Sequence, residues 1–282
     1  MRWMSLIYIF FLFTISCSEP DLVLDNEFDP ENPDFDPPNT TILAIDAIHL
    51  DSDGIYVDVT DPIIKWVGNE GMEMEFRNQL DGQDWSTWSP EQQKQLEYLD
   101  EGDHQFLVQG RYMSGTIEEL PDTLDFTADA IAGPALRMNP LKQNVTVGDS
   151  VIVEIMAEEM VAISGAEIIV KFNHPYLVLN EDDIFIGDFF RNPGEEMVHF
   201  TSITEISSNV SAMQLDIAVT GGNITTQDGV IARLRFYSIS SGDEKRVWFE
   251  EASTTVRDAD NIDIWTDLGM TPVLVEGLVD IE

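Results

Sequence analysis

The chain has 282 residues, and 53 acidic residues against 14 basic ones give it a formal net charge of -39. Its 43% hydrophobic content is still enough for packed cores, which indicates a folded acidic protein and not a disordered one. A surface of this sign repels phosphate backbones and anionic headgroups, so the charge excludes nucleic acid as a partner.

The N-terminus carries an apolar segment, WMSLIYIFFLFTIS, that ends just before Cys17, the single cysteine of the chain. It is too short for a spanning helix and is typical of a signal peptide over residues 1–16. The stretch FTISC resembles the lipobox of bacterial lipoproteins, which implies that Cys17 is lipidated and begins the mature chain. The alternative is an ordinary signal peptide that contains a cysteine, although no second cysteine offers a disulfide partner.

Two expectations follow for the segment after the cysteine. Ser18 differs from the Asp that commonly retains lipoproteins in the inner membrane, so we expect an outer-membrane lipoprotein facing the periplasm or the cell surface. Residues 17–38 are rich in Pro and Asp, which predicts an extended, self-repelling tether. At about 3.1 Å per residue this tether could reach roughly 65 Å from the membrane.

Short alternating segments separated by turn signals occupy residues 39–131 and predict a first β-sandwich. Asp81-Gly82 lies between two such segments and favours a hairpin turn with positive φ at both positions. The stretch LDGQDWSTWSPEQQKQLEYLDEGDHQFLVQGRYMSG is similar to bacterial fibronectin type III-like and triple-tyrosine-type modules. The resemblance implies an immunoglobulin-like or fibronectin type III-like sandwich that acts as a spacer. We expect His104 to be a packed residue and not a metal ligand.

A second pattern begins after AIAGP and covers residues 134–282. Alternating strands follow one another without a helical period, which predicts another β-sandwich with a jelly-roll path and makes the whole chain all-β. The ordered series VTVGDSVIVEI, ISGAEIIVKFNHPYLVL, IGDFF, GGNITTQDGVIARLRFYSIS and GLVDIE resembles a cohesin domain. This resemblance implies a nine-stranded sandwich that binds a protein partner, the dockerin module, without a cofactor.

Cohesins share their fold with some carbohydrate-binding modules, so a polysaccharide-binding surface lipoprotein is the alternative function. It predicts a planar strip of exposed aromatic rings, for which Tyr237, Trp248 and Trp265 are the candidates in the second half. An enzyme is disfavoured, because the four histidines (His49, His104, His174 and His199) are scattered without a cysteine partner or a Gly-x-Ser-x-Gly turn.

No metal site is predicted either. RDADNIDIWTD places Asp258, Asp260 and Asp263 close together, but it departs from the EF-hand pattern at Ile262 and lacks the following glycine. We expect a solvated turn there. In DGVIARLRFYSI, alternation predicts Val230, Ala232, Leu234 and Phe236 in the core, and Ile231, Arg233, Arg235 and Tyr237 outside. We expect both arginines to pair with acidic neighbours.

The candidate binding residues follow from the strand GAEIIVKF. Period-two alternation places Ala166, Ile168, Val170 and Phe172 in the core and turns the other residues outward. In cohesins the matching strand lies in the sheet that receives the dockerin, and two further strands lie beside it. The resemblance therefore implies one partner-binding face made of Gly165, Glu167, Ile169, Lys171, His199, Thr201, Gln214 and Asp216. The alternative is a solvated sheet face without a partner.

Overall fold

The structure is a computed structural model that describes residue 28 and residues 31–46, 48–50 (backbone only), 54–191, 196–220 and 228–282. Cys17 and the predicted signal peptide lie outside the described residues, so their assignment stays a prediction. Among the described helices, none has the length and apolar character needed to cross a bilayer. Strands are nearly all of the regular secondary structure among the described residues, which confirms the predicted all-β class.

The first half contains two sheets that enclose one core. The three-stranded sheet has the order β1-β4-β6, and the five-stranded sheet has the order β2-β3-β8-β7-β5. The strands are β1 Thr41–Ile45, β2 Ile48–Leu50, β3 Ile55–Val57, β4 Ile63–Val67, β5 Met74–Leu80, β6 Gln93–Gln95, β7 Gly102–Tyr112 and β8 Asp122–Ala128. Between the sheets, the rings of Trp66 and Phe106 lie 6.0 Å apart. As predicted, Asp81 and Gly82 turn with φ of 49° and 69°.

The second half contains a larger pair of sheets. The strands are β9 Ala135–Asn139, β10 Lys142–Val145, β11 Ser150–Glu158, β12 Gly165–Phe172, β13 Leu177–Val178, β14 Ile184–Ile186, β15 Glu196–Ser207, β16 Val210–Thr220, β17 Gly229–Ser238, β18 Gly242–Phe249, β19 Thr255–Arg257, β20 Val273–Val275 and β21 Gly277–Ile281. A 3₁₀ turn, Glu181–Asp183, and one short helix, α1 Ile264–Leu268, are helical, where the sequence predicted none.

The seven-stranded sheet of this half has the order β10-β21-β18-β12-β16-β15, with β19 beside β12. The six-stranded sheet has the order β13-β17-β11-β9-β20, with β14 beside β17. Phe172 and Phe236 meet between the sheets at a ring distance of 5.1 Å. Aliphatic side chains surround them, because alternation turns every second residue of each central strand inward. The seven-stranded sheet therefore offers its opposite face to solvent.

The inward phase of β17 differs from the prediction at Ile231. Ile155 pairs with Ala232 whereas Met156 pairs with Val230, so Ile231 is the extra residue of a β-bulge. The bulge breaks the alternation, and Ile231 is buried instead of exposed. Beyond the bulge the expected ion pairs form, with Arg233 Nε 2.9 Å from Glu154 Oε1 and Arg235 Nε 2.9 Å from Asp183 Oδ1.

The predicted tether is wrong for its last part. Phe28 and Phe35 pack edge-on against Tyr112 at ring distances of 5.3 and 6.4 Å, and the Tyr112 hydroxyl donates to the Asp36 carbonyl at 2.9 Å. Asn69 donates from its amide to Pro37 O at 3.1 Å. The aromatic side chains scattered among the acidic residues thus have a partner on the first half, which local composition could not indicate.

Two half-buried carboxylates form hydrogen bonds at the junction between the two halves. Asp100 accepts from the backbone N–H of Leu141 at 2.6 Å. Glu101 accepts from the N–H groups of Ala130 and Ile131 at 2.9 and 2.8 Å. Burial raises the pKa of both carboxyl groups, and the donated hydrogen bonds offset part of this effect. The junction is therefore a hydrogen-bonded contact and not only a flexible linker.

Candidate functional site

The outward face of the seven-stranded sheet is built by the register of β12 between its neighbours. In the β12–β16 pair, Gly165 lies opposite Ala218, Glu167 opposite Asp216, Ile169 opposite Gln214 and Lys171 opposite Ala212. Core residues fill the alternate positions, with Ile168 opposite Leu215 and Val170 opposite Met213. Six of the eight predicted face residues thus lie together: Gly165, Glu167, Ile169, Lys171, Gln214 and Asp216. We call this set the β12–β16 patch.

The predicted placement of His199 and Thr201 on this face is wrong. In the β15–β16 pair, His199 lies opposite Ile217 and Thr201 opposite Leu215, both of which face the core. Directly opposed residues of an antiparallel pair point to the same side, so His199 and Thr201 belong to the inner side of the sheet. The prediction placed β15 one residue out of phase.

The β15 residues on the outward face are Val198, Phe200, Ser202 and Thr204. Phe200 lies opposite Asp216, and 69% of its surface is exposed. The sequence did not single these residues out, because MVHFTSI carries two apolar residues on each alternate set. Only the pairing with β16, whose buried positions are known, decides which set faces outward.

Carboxylates and one amide occupy the middle of the patch. The Gln214 amide nitrogen lies 3.0 Å from Asp216 Oδ2 and 3.4 Å from Glu167 Oε1, so one amide serves both carboxylates. Lys171 lies on the same face and forms an ion pair with Glu250, just beyond the end of β18. Its charge is thereby engaged at one side of the patch, and the centre of the patch is acidic.

Ile169 is the aliphatic residue in this polar setting, and its backbone N–H and C=O are both bonded to the connection between β18 and β19. Its N–H donates to the Thr254 hydroxyl at 3.2 Å, and its carbonyl accepts from the Glu250 N–H at 2.8 Å. The side chain is half-buried at the centre of the face. A fixed backbone beneath a partly exposed apolar side chain suits an anchor in a protein interface.

A depression lies at one end of the patch, with a volume of about 370 Å³. Its floor lies where Gly165 is opposite Ala218. A Cβ at position 165 would come within 2.9 Å of the Ile217 carbonyl oxygen, which is too close without a shift of the backbone. Val198 and Phe200 line one side, and Arg257 lines the other. The glycine thus keeps a recess open that an alanine would partly fill.

The three candidate aromatic residues for polysaccharide binding in the second half do not form a strip. Trp265 is 1% exposed and donates from its indole nitrogen to Pro134 O at 2.8 Å. Tyr237 lies on β17 in the six-stranded sheet, whereas Trp248 lies on β18 in the seven-stranded sheet. Arg246 lies over the Trp248 ring at 4.9 Å. The three candidate rings therefore belong to separate surroundings.

The described residues contain no group of three or more His, Cys, Asp or Glu side chains placed to hold a metal ion. In the acidic loop, Asp258 Oδ1 accepts from the N–H groups of Asp260 and Ile262, each at 2.9 Å. Asp263 caps α1 by accepting from Thr266 N at 2.9 Å. His104, as predicted, is packed, with Nδ1 2.7 Å from Asp81 and Nε2 2.8 Å from the Asp100 carbonyl.

No protein-family model matches the sequence, and no curated protein matches it. The solved structures to which the chain is similar include cohesin domains. One is a non-cellulosomal cohesin from Archaeoglobus fulgidus, 13% identical, covering 52% of this chain and 90% of that chain with a TM-score of 0.39. Another belongs to a type I cohesin–dockerin complex from Clostridium thermocellum, with 23% identity, coverages of 52% and 98% and a TM-score of 0.39. A third, a type II cohesin from Bacteroides cellulosolvens, has 16% identity, coverages of 52% and 98% and a TM-score of 0.42.

Proposed function

We propose that this chain is a non-catalytic lipoprotein of the cell envelope whose second half binds a protein partner through the β12–β16 patch. The observation that carries the proposal is the mixed character of the patch. The apolar side chain of Ile169 lies among charged and amide side chains on the solvent-facing side of the seven-stranded sheet. Such a centre with a polar surround is typical of a protein interface.

The nature of the partner follows from the resemblance in the sequence. Resemblance to cohesins points to a dockerin-like module as the partner. Glu167 stands where many cohesins have Asp, and Gly165 where Asn is common, so the donors and acceptors differ from those of cellulosomal cohesins. The carboxylates of Glu167 and Asp216 would repel an acidic partner and favour a basic one.

Lipid attachment at Cys17 supplies the anchor in this proposal. Two or three acyl chains hold a protein durably, since each buried methylene contributes about 0.8 kcal/mol and one chain alone binds marginally. Because Phe28 and Phe35 pack on the first half, the tether in this proposal ends before Phe28. The first half then presents the binding half at a fixed orientation through the junction at Asp100 and Glu101.

The alternative, a polysaccharide-binding surface lipoprotein, is less well supported. It needs adjacent exposed rings, and the three candidates in the second half are separated by burial and by sheet. We therefore keep a protein partner as the conclusion and treat glycan binding as an outcome to be tested.

Capture experiments test the proposal. The chain from Ser18 onward is immobilised, and partners are captured from the envelope fraction of the source cells, with and without the paired change Ile169→Asp and Asp216→Lys. Ile152→Asp is the matched control, because Ile152 is an exposed aliphatic residue on a strand of the opposite sheet. We expect loss of a specific protein with the paired change and its retention with the control, while thermal unfolding shows that every form is folded. Equal capture by all three forms would contradict the proposal, and capture of glycan alone would favour the alternative.

A further inference from the structure

The strand β15 forms one end of the seven-stranded sheet. It is 12 residues long, and within the described part of the chain it pairs as a strand with β16 alone. An edge strand presents a row of backbone N–H and C=O groups that can pair with another strand. The opposite end of the same sheet differs, because β10 is 4 residues long and begins at Lys142.

The exposed edge of β15 lacks the features that usually prevent such pairing. Its central residues, MVHFTSIT from Met197 to Thr204, include no Lys, Arg, Asp, Glu or Pro. Natural edge strands are commonly protected by an inward charge, a proline or a bulge. The bulge in β15 lies between Glu205 and Ser207, beyond this stretch. Phe200, at the middle, is 69% exposed.

We propose that β15 pairs with β15 of a second copy of this chain, antiparallel and centred on Phe200, to form a two-fold symmetric dimer. In this register Phe200 lies opposite Phe200 of the second copy on the outward face. On the inner face, Met197 lies opposite Ile203 twice by symmetry. Aromatic and aliphatic cross-strand pairs of this kind stabilise antiparallel sheets.

The pairing of apolar side chains selects this register. Each Glu196 lies opposite a Thr204, whereas Glu205 lies opposite position 195, which is also a glutamate, so carboxylates oppose each other only outside the apolar centre. A register shifted by one residue towards the C-terminus, centred on Thr201, places Met197 opposite Glu205. A register shifted by one residue towards the N-terminus places His199 opposite His199 and leaves Ile203 without an apolar partner. The register centred on His199 pairs Val198 with Phe200 on the outward face only, so the central register is the one of the three with apolar pairs on both faces.

The net charge of the chain opposes association of two copies, and the proposed dimer therefore has a distinct salt dependence. Each copy carries a formal charge of -39, so two copies repel at long range. Salt screens this repulsion, since the Debye length falls from about 10 Å at 0.1 M to about 3 Å at 1 M. The dimer should therefore strengthen with ionic strength, unlike an assembly held by ion pairs.

The dimer has a consequence for the outward face. The outward residues of both copies would lie on one continuous sheet, with two β12–β16 patches on the same side. Because the dimer depends on the β15 edge and not on Ile169, it does not rest on the proposed function. Ile169→Asp should leave the mass in solution unchanged.

Light scattering and sedimentation test the proposal with the chain from Ser18 onward, which retains every residue that the structure describes. We expect the mass of a dimer at tens of micromolar in 0.5 M NaCl, and at least tenfold weaker association for Phe200→Lys. Leu43→Lys is the matched control, because Leu43 is 61% exposed on β1, the edge strand of another sheet. A monomer throughout, open-ended aggregation, or a dimer that survives Phe200→Lys would each overturn the proposal.

Cross-linking tests the register independently of the lysine variant. The chain from Ser18 contains no cysteine, so Phe200→Cys introduces a single thiol. Directly opposed residues have Cα atoms about 4.5 to 5.5 Å apart, within the range that a disulfide spans. We expect covalent dimers for Phe200→Cys and few for Ser202→Cys, whose thiols would lie four residues apart along the strands. Equal or reversed yields would refute the register centred on Phe200.

Discussion

Glu167 and Asp216 lie directly opposite each other in the β12–β16 pair, and the amide of Gln214 lies within hydrogen-bonding distance of both. Like charges at opposed positions destabilise an antiparallel pair. This pair therefore lowers the stability of the sheet at the centre of its outward face. Such a cost is expected for residues whose role is to bind a partner.

Replacement of Asp216 is expected to change the stability of the fold and the binding of the partner in opposite directions. Asp216→Lys converts the repulsive pair into an attractive one, so we expect the free energy of unfolding to rise by about 0.5 to 1 kcal/mol. Capture of the partner should fall in the same variant. Asp216→Asn, which removes the repulsion without adding a cation, should stabilise less. Chemical denaturation measures the first effect, and a destabilised Asp216→Lys would contradict the account of the pair.

Glu118 is a buried carboxylate that joins the start of β1 to β7. It is 6% exposed, and it accepts from Thr40 N at 2.6 Å, the Thr40 hydroxyl at 2.7 Å and Gly110 N at 2.8 Å. Glu118→Ala leaves these donors without their acceptor, so we expect a loss of about 2 to 4 kcal/mol in unfolding free energy. Glu118→Gln retains one acceptor oxygen and should lose less. Urea unfolding compares the two, and an equal loss would indicate that packing alone matters.

Asp100 gives the junction a defined pH dependence. Because burial raises the pKa of its carboxyl group in the folded state, the folded chain holds this proton more tightly than the unfolded chain. Its contribution is therefore fully favourable below the unfolded pKa and is lost as the pH rises through the folded value. Relative to wild type, Asp100→Asn should gain stability as the pH rises from about 4 towards 7.

Urea unfolding at several pH values measures this difference. Asp103→Asn is a suitable control, because Asp103 lies nearby on β7 on the exposed side. A stability difference between wild type and Asp100→Asn that moves the other way with pH would show that the donated hydrogen bond from Leu141 outweighs burial.

The membrane anchor is tested at Cys17. We expect Cys17→Ala to release the protein from the membrane fraction and to abolish incorporation of labelled palmitate. Ser18→Ala keeps the lipidated position and should remain membrane-bound. Retention of Cys17→Ala in the membrane would instead indicate an uncleaved apolar segment.

Several features of the fold followed directly from local sequence. The alternation in GAEIIVKF predicted the buried set Ala166, Ile168, Val170 and Phe172, because a strand between two neighbours exposes one face and buries the other. The Asp81-Gly82 turn was predicted because few residue pairs adopt positive φ at both positions. Both are properties of a few consecutive residues.

The sequence by itself determined the all-β class and the buried face of β12, and its resemblance to cohesins implied that the six patch residues on β12 and β16 share one face. Tertiary structure alone decided the phase of β15, the burial of Ile231 and the packing of Phe28 and Phe35 on Tyr112. The physical reason is that alternation identifies two faces of a strand but not which one meets the core when both carry apolar residues. A bulge or a distant aromatic partner is set by what lies across the sheet, and no window of consecutive residues contains that information.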